Sequence, residues 1–313
     1  MPYRPHLVSS TTRPIVRSLV QKVFGDFDPL RLDPYLFFDA ATSMVGTLEN
    51  PTLDLDPSKP DTLNVITATR AGTATFTDAN GNIASASPNT VRVDYVDSVP
   101  MILVEPSATN LINYSEDFSQ WTSSNSTVNS GQITSPDGTL NGSSLQINSG
   151  GILYVTLSSS HSIGASATFS CFVKSLSQKL TWGGATANGT DVYSYEDLGN
   201  GWYRQILTRT FSATGSIQPM FTEAQAGSDL FYLWGAQLET GVATSYIPTS
   251  GSTVTRAADN LVISGSAFTD FYNQSEGTIY SEFVPKLESL DATLFNFSDG
   301  SNFNRIMSLT KFY

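Results

Sequence analysis

His6, His161 and Cys171 are the only histidines and the only cysteine in this 313-residue sequence, so imidazole or thiolate chemistry has few places to occur. His6 stands in a loose N-terminal run, MPYRPHLVSS, and His161 in a serine-rich turn, SSSHSIG. Neither has the surroundings of a Ser-His-Asp triad or of a metal site, and His161 is expected to be solvated. Cys171 alternates with Phe169 and Val173 in TFSCFVKSL, which predicts a buried strand residue rather than a reactive thiol. Glycoside hydrolysis needs two carboxylates held about 5–10 Å apart across a cleft. Glu116-Asp117, Asp191 and Glu196-Asp197 are the acidic groups that invite the comparison, but among 28 acidic residues close neighbours arise by chance. No glycine-rich phosphate loop follows a strand. The chain is read as non-enzymatic.

Binding is a better match to the residue types. A sugar site offers flat aromatic rings to the apolar sugar face and polar groups to the hydroxyls. Trp182, in KLTWGGATANG, precedes two glycines that would leave its ring uncovered. Tyr193 and Tyr195, in DVYSYED, point to one face if that segment is a strand. These three are the glycan-binding candidates, and the competing reading is that they pack a β-sandwich core, as Trp121 and Trp202 are expected to do.

The elements that must position these residues are mostly strands. Charged residues make up 14% of the chain, and β-branched and aromatic residues are dense where helix formers are scarce, which favours an all-β protein. One helix is expected, in TTRPIVRSLVQKVFG, with Thr12 as cap, Pro14 in the first turn and Gly25 as stop. Ile15, Leu19 and Val23 form its apolar stripe, opposite Arg17 and Lys22. Residues 26–61 are rich in X-Pro steps and read as a connector. TATFTDANGNIAS reads as a hairpin around Ala79-Asn80-Gly81, and VRVDY and MILVEP as further strands. Eight short strands are picked out in the 115–249 region, from SSLQIN to DLFYLWGAQLE, which suits a sandwich or jelly roll. GTIYSEFVP, TLFNF and RIMSLT begin a further sheet that is expected to continue beyond Tyr313 or to pair with another chain.

Charge narrows the partners. The net charge of −12 argues against a nucleic-acid partner. No apolar run reaches the roughly 18 residues that would span a bilayer, and the N-terminus lacks a signal-peptide core. Residues 1–25 carry Arg4, Arg13, Arg17 and Lys22 and no acid, so this segment is expected to dock on an acidic partner surface.

Three runs resemble tail fibre or tailspike-type structural proteins of tailed bacteriophages: ATRAGTATFTDANGNIASASPNTVRVDY, ILVEPSATNLINYSEDFSQW and WGAQLETGVATSYIPTSGSTVTRAAD. The third is similar to the closing motif of a carbohydrate-binding-module-like jelly roll, and EGTIYSEFVP to the first strand of a concanavalin- or laminin-G-like domain. The resemblance covers roughly residues 65–290. It implies a homotrimer in the virion tail, docked on tail, baseplate or adaptor proteins through residues 1–25, with Ile15, Leu19 and Val23 beside the four basic residues. It implies a structural fibre or fibre adaptor. A module binding host-surface glycan, or the leading part of a depolymerase whose catalytic domain lies beyond residue 313, are the alternatives. Similar jelly rolls carry a structural calcium ion, for which Glu116, Asp117 and Glu239 are the candidates. The expected organisation is an anchoring segment at 1–25, a connector and small β domain at 26–114, the jelly roll at 115–249, a linker at 250–262 and an incomplete β domain at 263–313.

The stretch LWGAQLETGVATSYIPTSGSTVTRAADN combines the end of one such domain with the expected linker. Phe231, Leu233 and Gly235 alternate with Tyr232, Trp234 and Ala236, as in a strand covered on both faces. Trp234 is expected in the core, Tyr246 and Ile247 as an apolar lid, and Arg256 and Asp259 as a clamp on the next domain.

Overall fold

The computed structural model describes residues 16–23, 52–157, 161–174, 180–183, 188–222, 229–273, 275–283, 292–298 and 305–310. The chain divides into two units, Asp54–Phe268 and a second made of Met1–Leu53 with Thr269–Tyr313. The fold is mainly β, and its first helical element among the described residues is one short 3-10 turn, Pro60–Val65, with Pro60 opening it.

In the second of these units, Val16–Val23 is a strand, β1, and the helix expected over Thr12–Gly25 is corrected there. Three of its eight residues are valine, whose branched Cβ suits a pleated strand better than a helix. A helix of three turns is marginal alone, whereas β1 gains a full ladder against Glu276–Phe283, running from Val16 opposite Phe283 to Val23 opposite Glu276. The three strands expected near the C-terminus form: Glu276–Phe283 as above, and Ala292–Ser298 paired antiparallel with Arg305–Thr310.

The Asp54–Phe268 unit is built on an eight-stranded antiparallel sheet. Its strands are β8 (Thr122–Ile133), β9 (Gly142–Tyr154), β10 (Ser166–Val173), β11 (Leu180–Gly183), β12 (Gly189–Asp197), β13 (Tyr203–Phe211), β14 (Gln218–Thr222) and β15 (Asp229–Thr240). The order is β11-β14-β9-β15-β10-β13-β12, with β8 also on β9. The sheet curls into a half-barrel, so that β11 packs against β10 and β13 although the ladder separates them. Inside the curl, Phe118, Trp121, Phe169, Trp182 and Phe221 form one aromatic cluster, with neighbouring rings 5.2–6.4 Å apart. Leu145, Leu153, Leu207 and Leu238 complete this core, and Cys171 lies fully buried in it, as its alternation predicts. Burial pushes the Cys171 thiol far above its ordinary pKa, which makes it chemically inert in the folded protein.

A second, smaller core lies on the outer face of the same sheet: Phe172, Leu198, Trp202, Trp234 and Tyr246. Trp234 and Tyr246 meet at 4.6 Å between ring centroids. β15 serves both cores by a change of phase. Phe231 and Leu233 face the inner core, and so do Ala236 and Leu238, while Trp234 faces outward. The pairing with β10 shifts register between Ser170 and Phe172, and Gly235 sits there at φ +62°. The simple alternation expected through Trp234-Gly235-Ala236 is therefore corrected. A β-bulge inserts one residue, and glycine supplies the left-handed conformation it requires.

The outer core is roofed by short hairpins. β3 (Ala74–Thr77) and β4 (Ile83–Ala86) pair around the expected Ala79-Asn80-Gly81 turn, where the Asp78 carboxylate accepts from the Asn80 and Asn82 amides. β5 (Arg92–Val96) and β6 (Val99–Leu103) pair across Asp97 and Ser98, both at positive φ, the conformation of a type I′ turn. The segment expected as a linker pairs back onto this layer. Val254–Arg256 (β16) joins Ala108–Asn110 (β7), and Asn260–Val262 (β17) joins Thr67–Thr69 (β2).

Candidate functional site

β12 is the last strand of the curled sheet in the ladder order, with no further strand paired beyond it among the described residues, and its residues are mostly exposed. Tyr193 lies opposite Leu207 and Tyr195 opposite Gln205. Leu207 belongs to the inner core, so both tyrosines stand on the inner face at the open margin of the curl. Each is 56% exposed. Tyr195 meets Tyr203 edge to face at 6.1 Å, which fixes its ring plane. Beside Tyr193, Arg209 grips Asp191 with two parallel hydrogen bonds, Nε to Oδ1 at 2.6 Å and Nη2 to Oδ2 at 2.7 Å. Partial burial, with the Asp191 carboxylate, pushes the Tyr193 phenol up, so it remains a neutral donor at ordinary pH.

Trp182 stands elsewhere. The curl brings β11 over the inner core, and the Trp182 ring is only 9% exposed. Phe169 lies 5.9 Å away and the Arg209 guanidinium covers it at 5.9 Å. The expectation of an uncovered ring is corrected, because the curl of the sheet buries Trp182. The margin thus brings together Tyr193, Tyr195, Asp191 and Arg209, with Trp182 as their buried support. Chemically it offers two aromatic faces, phenol hydroxyls and a fixed ion pair. Both Asp191 oxygens are engaged by Arg209.

The calcium candidates do not converge. Glu116 accepts from the Tyr246 hydroxyl at 2.9 Å and from Asn141 at 3.0 Å. Asp117 caps the short 118–120 turn, accepting from the Ser119 amide. Glu239 accepts from Gln237, the Thr244 amide and the Thr244 hydroxyl at 2.6–2.9 Å. Burial pushes both glutamates up, against the hydrogen bonds that Tyr246 gives Glu116 and Thr244 gives Glu239. Among the described residues no three acidic, histidine or cysteine side chains gather as a metal site would need. These residues do not fit the ion.

His161 is also placed differently from expectation. It is buried, its ring stacks on Phe211 at 4.7 Å with planes 4° apart, and its backbone pairs with Gly215. Burial lowers its pKa, so it is held as a neutral, structural ring. Of the docking candidates, Arg4, Arg13 and Ile15 lie outside the described residues, whereas Arg17, Leu19, Lys22 and Val23 fall on β1.

The densest array of charge was not apparent as a group in the sequence. Arg70, Arg92 and Arg256 meet Glu105 and Asp259, all with nearly fully buried side chains. Asp259 accepts from Arg70 at 2.8 Å, from Arg92, and from the Glu105 amide at 2.9 Å. Glu105 in turn accepts from Ser245, from its amide at 2.7 Å and its hydroxyl at 2.6 Å. Arg92 donates to the Thr75 carbonyl at 2.7 Å. The network thus joins the hairpin layer, the 244–246 segment after β15 and the returning 254–262 segment. Arg256 and Asp259 do clamp, but onto the layer before the sheet, and inside it rather than on the surface. The one sequence signal was Arg92 within VRVDY, set between valines as in a buried strand.

Compared with known proteins, the chain matches no protein-family model, and no curated protein sequence matches it.

Proposed function

We propose that this chain is a structural component of a bacteriophage tail, a fibre or fibre adaptor that links the tail to the host-recognition apparatus. In this reading it works as a homotrimer, by contact and not by catalysis, and the curled sheet is a jelly-roll module. The observation that carries the reading is the buried Arg–carboxylate network. It fixes the sheet to the hairpin layer within the Asp54–Phe268 unit, so that the sheet margin is held in one orientation relative to that layer. The tail-like runs quoted above supply the class of particle. Native mass spectrometry of the full chain should give three times the 33.7 kDa chain mass, and antibodies to it should label virion tails. A monomer at micromolar concentration, or labelling absent from tails, sinks the proposal.

A second reading is supported by the exposed Tyr193 and Tyr195 pair: the sheet margin contacts host-surface glycan. Tyr193→Ala combined with Tyr195→Ala removes two exposed rings from an edge strand, where substitutions shift stability by roughly 0.5 kcal/mol or less. Binding to host polysaccharide on a glycan array should disappear while the unfolding midpoint stays put. Undiminished binding by the double variant removes this reading.

A further inference from the structure

A separate cleft of about 240 Å³ opens at one end of the curled sheet, between the segment leading into β8 and the end of β9. Trp121, Val155 and Leu157 give it an apolar wall, and Asn113, Tyr114, Gln120 and Thr122 line it with polar groups. Its walls are fixed by the fold. The Trp121 indole donates to the Tyr114 carbonyl at 3.1 Å, Gly251 donates to the Asn113 carbonyl at 2.8 Å, and Val155 donates to the Pro219 carbonyl at 3.1 Å.

The polar side chains are largely unspent. The Asn113 carboxamide and the Tyr114 and Thr122 hydroxyls make no hydrogen bond among the described residues, the Gln120 carboxamide uses only its nitrogen, and the Thr156 hydroxyl, also in the lining, accepts from Gln218 at 3.3 Å. No residue lining the cleft carries a formal charge, in a chain of net charge −12. An apolar wall facing uncharged donors and acceptors is suited to a neutral polyhydroxylated ligand, since a charged one would find no partner there. The volume lies below the roughly 300–1,000 Å³ of pockets that take drug-sized molecules, which limits the occupant to about one ring.

We propose that this cleft binds a single neutral pyranose residue, such as the terminal hexose or N-acetylhexosamine of a glycan. The site is distinct from the β12 margin and does not depend on the tail assignment. The test is titration of the full chain with the methyl glycosides of glucose, galactose and N-acetylglucosamine, with the methyl glycoside of glucuronic acid as the charged comparison. The readout is the side-chain amide signals of Asn113 and Gln120. At least one neutral glycoside should shift these signals saturably. Asn113→Ala and Thr122→Val, both at exposed positions, should each weaken that binding by about tenfold, the loss of roughly one hydrogen bond. The Tyr193→Ala/Tyr195→Ala variant should titrate like the parent. The proposal is overturned if no neutral glycoside shifts the amides, if glucuronide binds more tightly, or if both cleft variants titrate unchanged. It is equally overturned if binding is lost only in the tyrosine variant.

Discussion

Replacing Asp259 by alanine should cost the folded state about 3–5 kcal/mol, the range found when one partner of a buried ion pair is removed. Asp259 is the shared acceptor of Arg70 and Arg92, whose side chains are 1% and 0% exposed. Without it both guanidinium groups stay buried, and Glu105 alone must balance Arg92 and Arg256. The loss exceeds that of a surface pair because neither arginine can reach water without opening the hairpin layer. Chemical denaturation measures it. A change below about 1 kcal/mol, typical of an exposed pair, would show that the network does not hold the layer. The same residue sets a pH dependence. Burial raises the Asp259 pKa, but hydrogen bonds from Arg70 and Arg92 outweigh this and hold it below its ordinary 3.8. Its contribution is therefore complete above pH 3.8 and is lost as the pH falls through the lowered value. In the Asp259→Ala variant this acid-limb contribution should be missing.

Gly235→Ala should destabilise by about 2–4 kcal/mol. Holding a residue with a side chain at φ +62° costs roughly 1 kcal/mol or more. The added Cβ would also lie 2.9 Å from the Phe172 ring and 3.2 Å from the Tyr246 ring, so the outer core must shift, at roughly 1–3 kcal/mol. The strain is concentrated where Trp234, Phe172 and Tyr246 meet, so near-UV circular dichroism should change along with the unfolding midpoint. A variant with wild-type stability and spectrum would mean that β15 keeps its register without a glycine at the bulge.

That bulge shows where sequence reading stopped. Period-two alternation separated Phe231 and Leu233 from Trp234 on opposite faces, as the two cores have them, because each sits before the inserted residue. Nothing in LWGAQLE marks Gly235 as a bulge rather than an ordinary small residue, so the phase after it was lost, and with it the outward placement of Gln237 and Glu239. The hairpin at Ala79-Asn80-Gly81 was legible because turn chemistry is local. β8 was not. Its run TSSNSTVNSGQI is mostly polar and exposed, and it is a strand through its pairing with β9, which a pattern of burial cannot reveal. SSLQIN and GILYVTL were counted as two strands, while most of their length lies on the single strand β9. Val16–Val23 carried both a helical stripe and strand-forming valines, and the partner strand that decides between them lies some 260 residues further on.

At the candidate site, the placement of Tyr193 and Tyr195 on one shared face followed from strand geometry. The cover over Trp182 did not, because it depends on the curl that carries β11 across the core. The Arg–carboxylate network joins residues as far apart as Arg70 and Asp259, and spacing along the chain carries no trace of such a meeting.

The return of β17 to β2 has a mechanical consequence. Val262 lies opposite Thr67 and Asn260 opposite Thr69, so the chain leaves the Asp54–Phe268 unit beside the point where it arrives. Tension applied across this unit, between Asp54 and Phe268, would not pass through the eight-stranded sheet. It would pull the two short strands apart from their shared open end, breaking one pair at a time as a zipper does. The first firm stop behind that zipper is the buried ion pair of Arg70 with Asp259, one residue beyond Thr69 on one strand and one before Asn260 on the other.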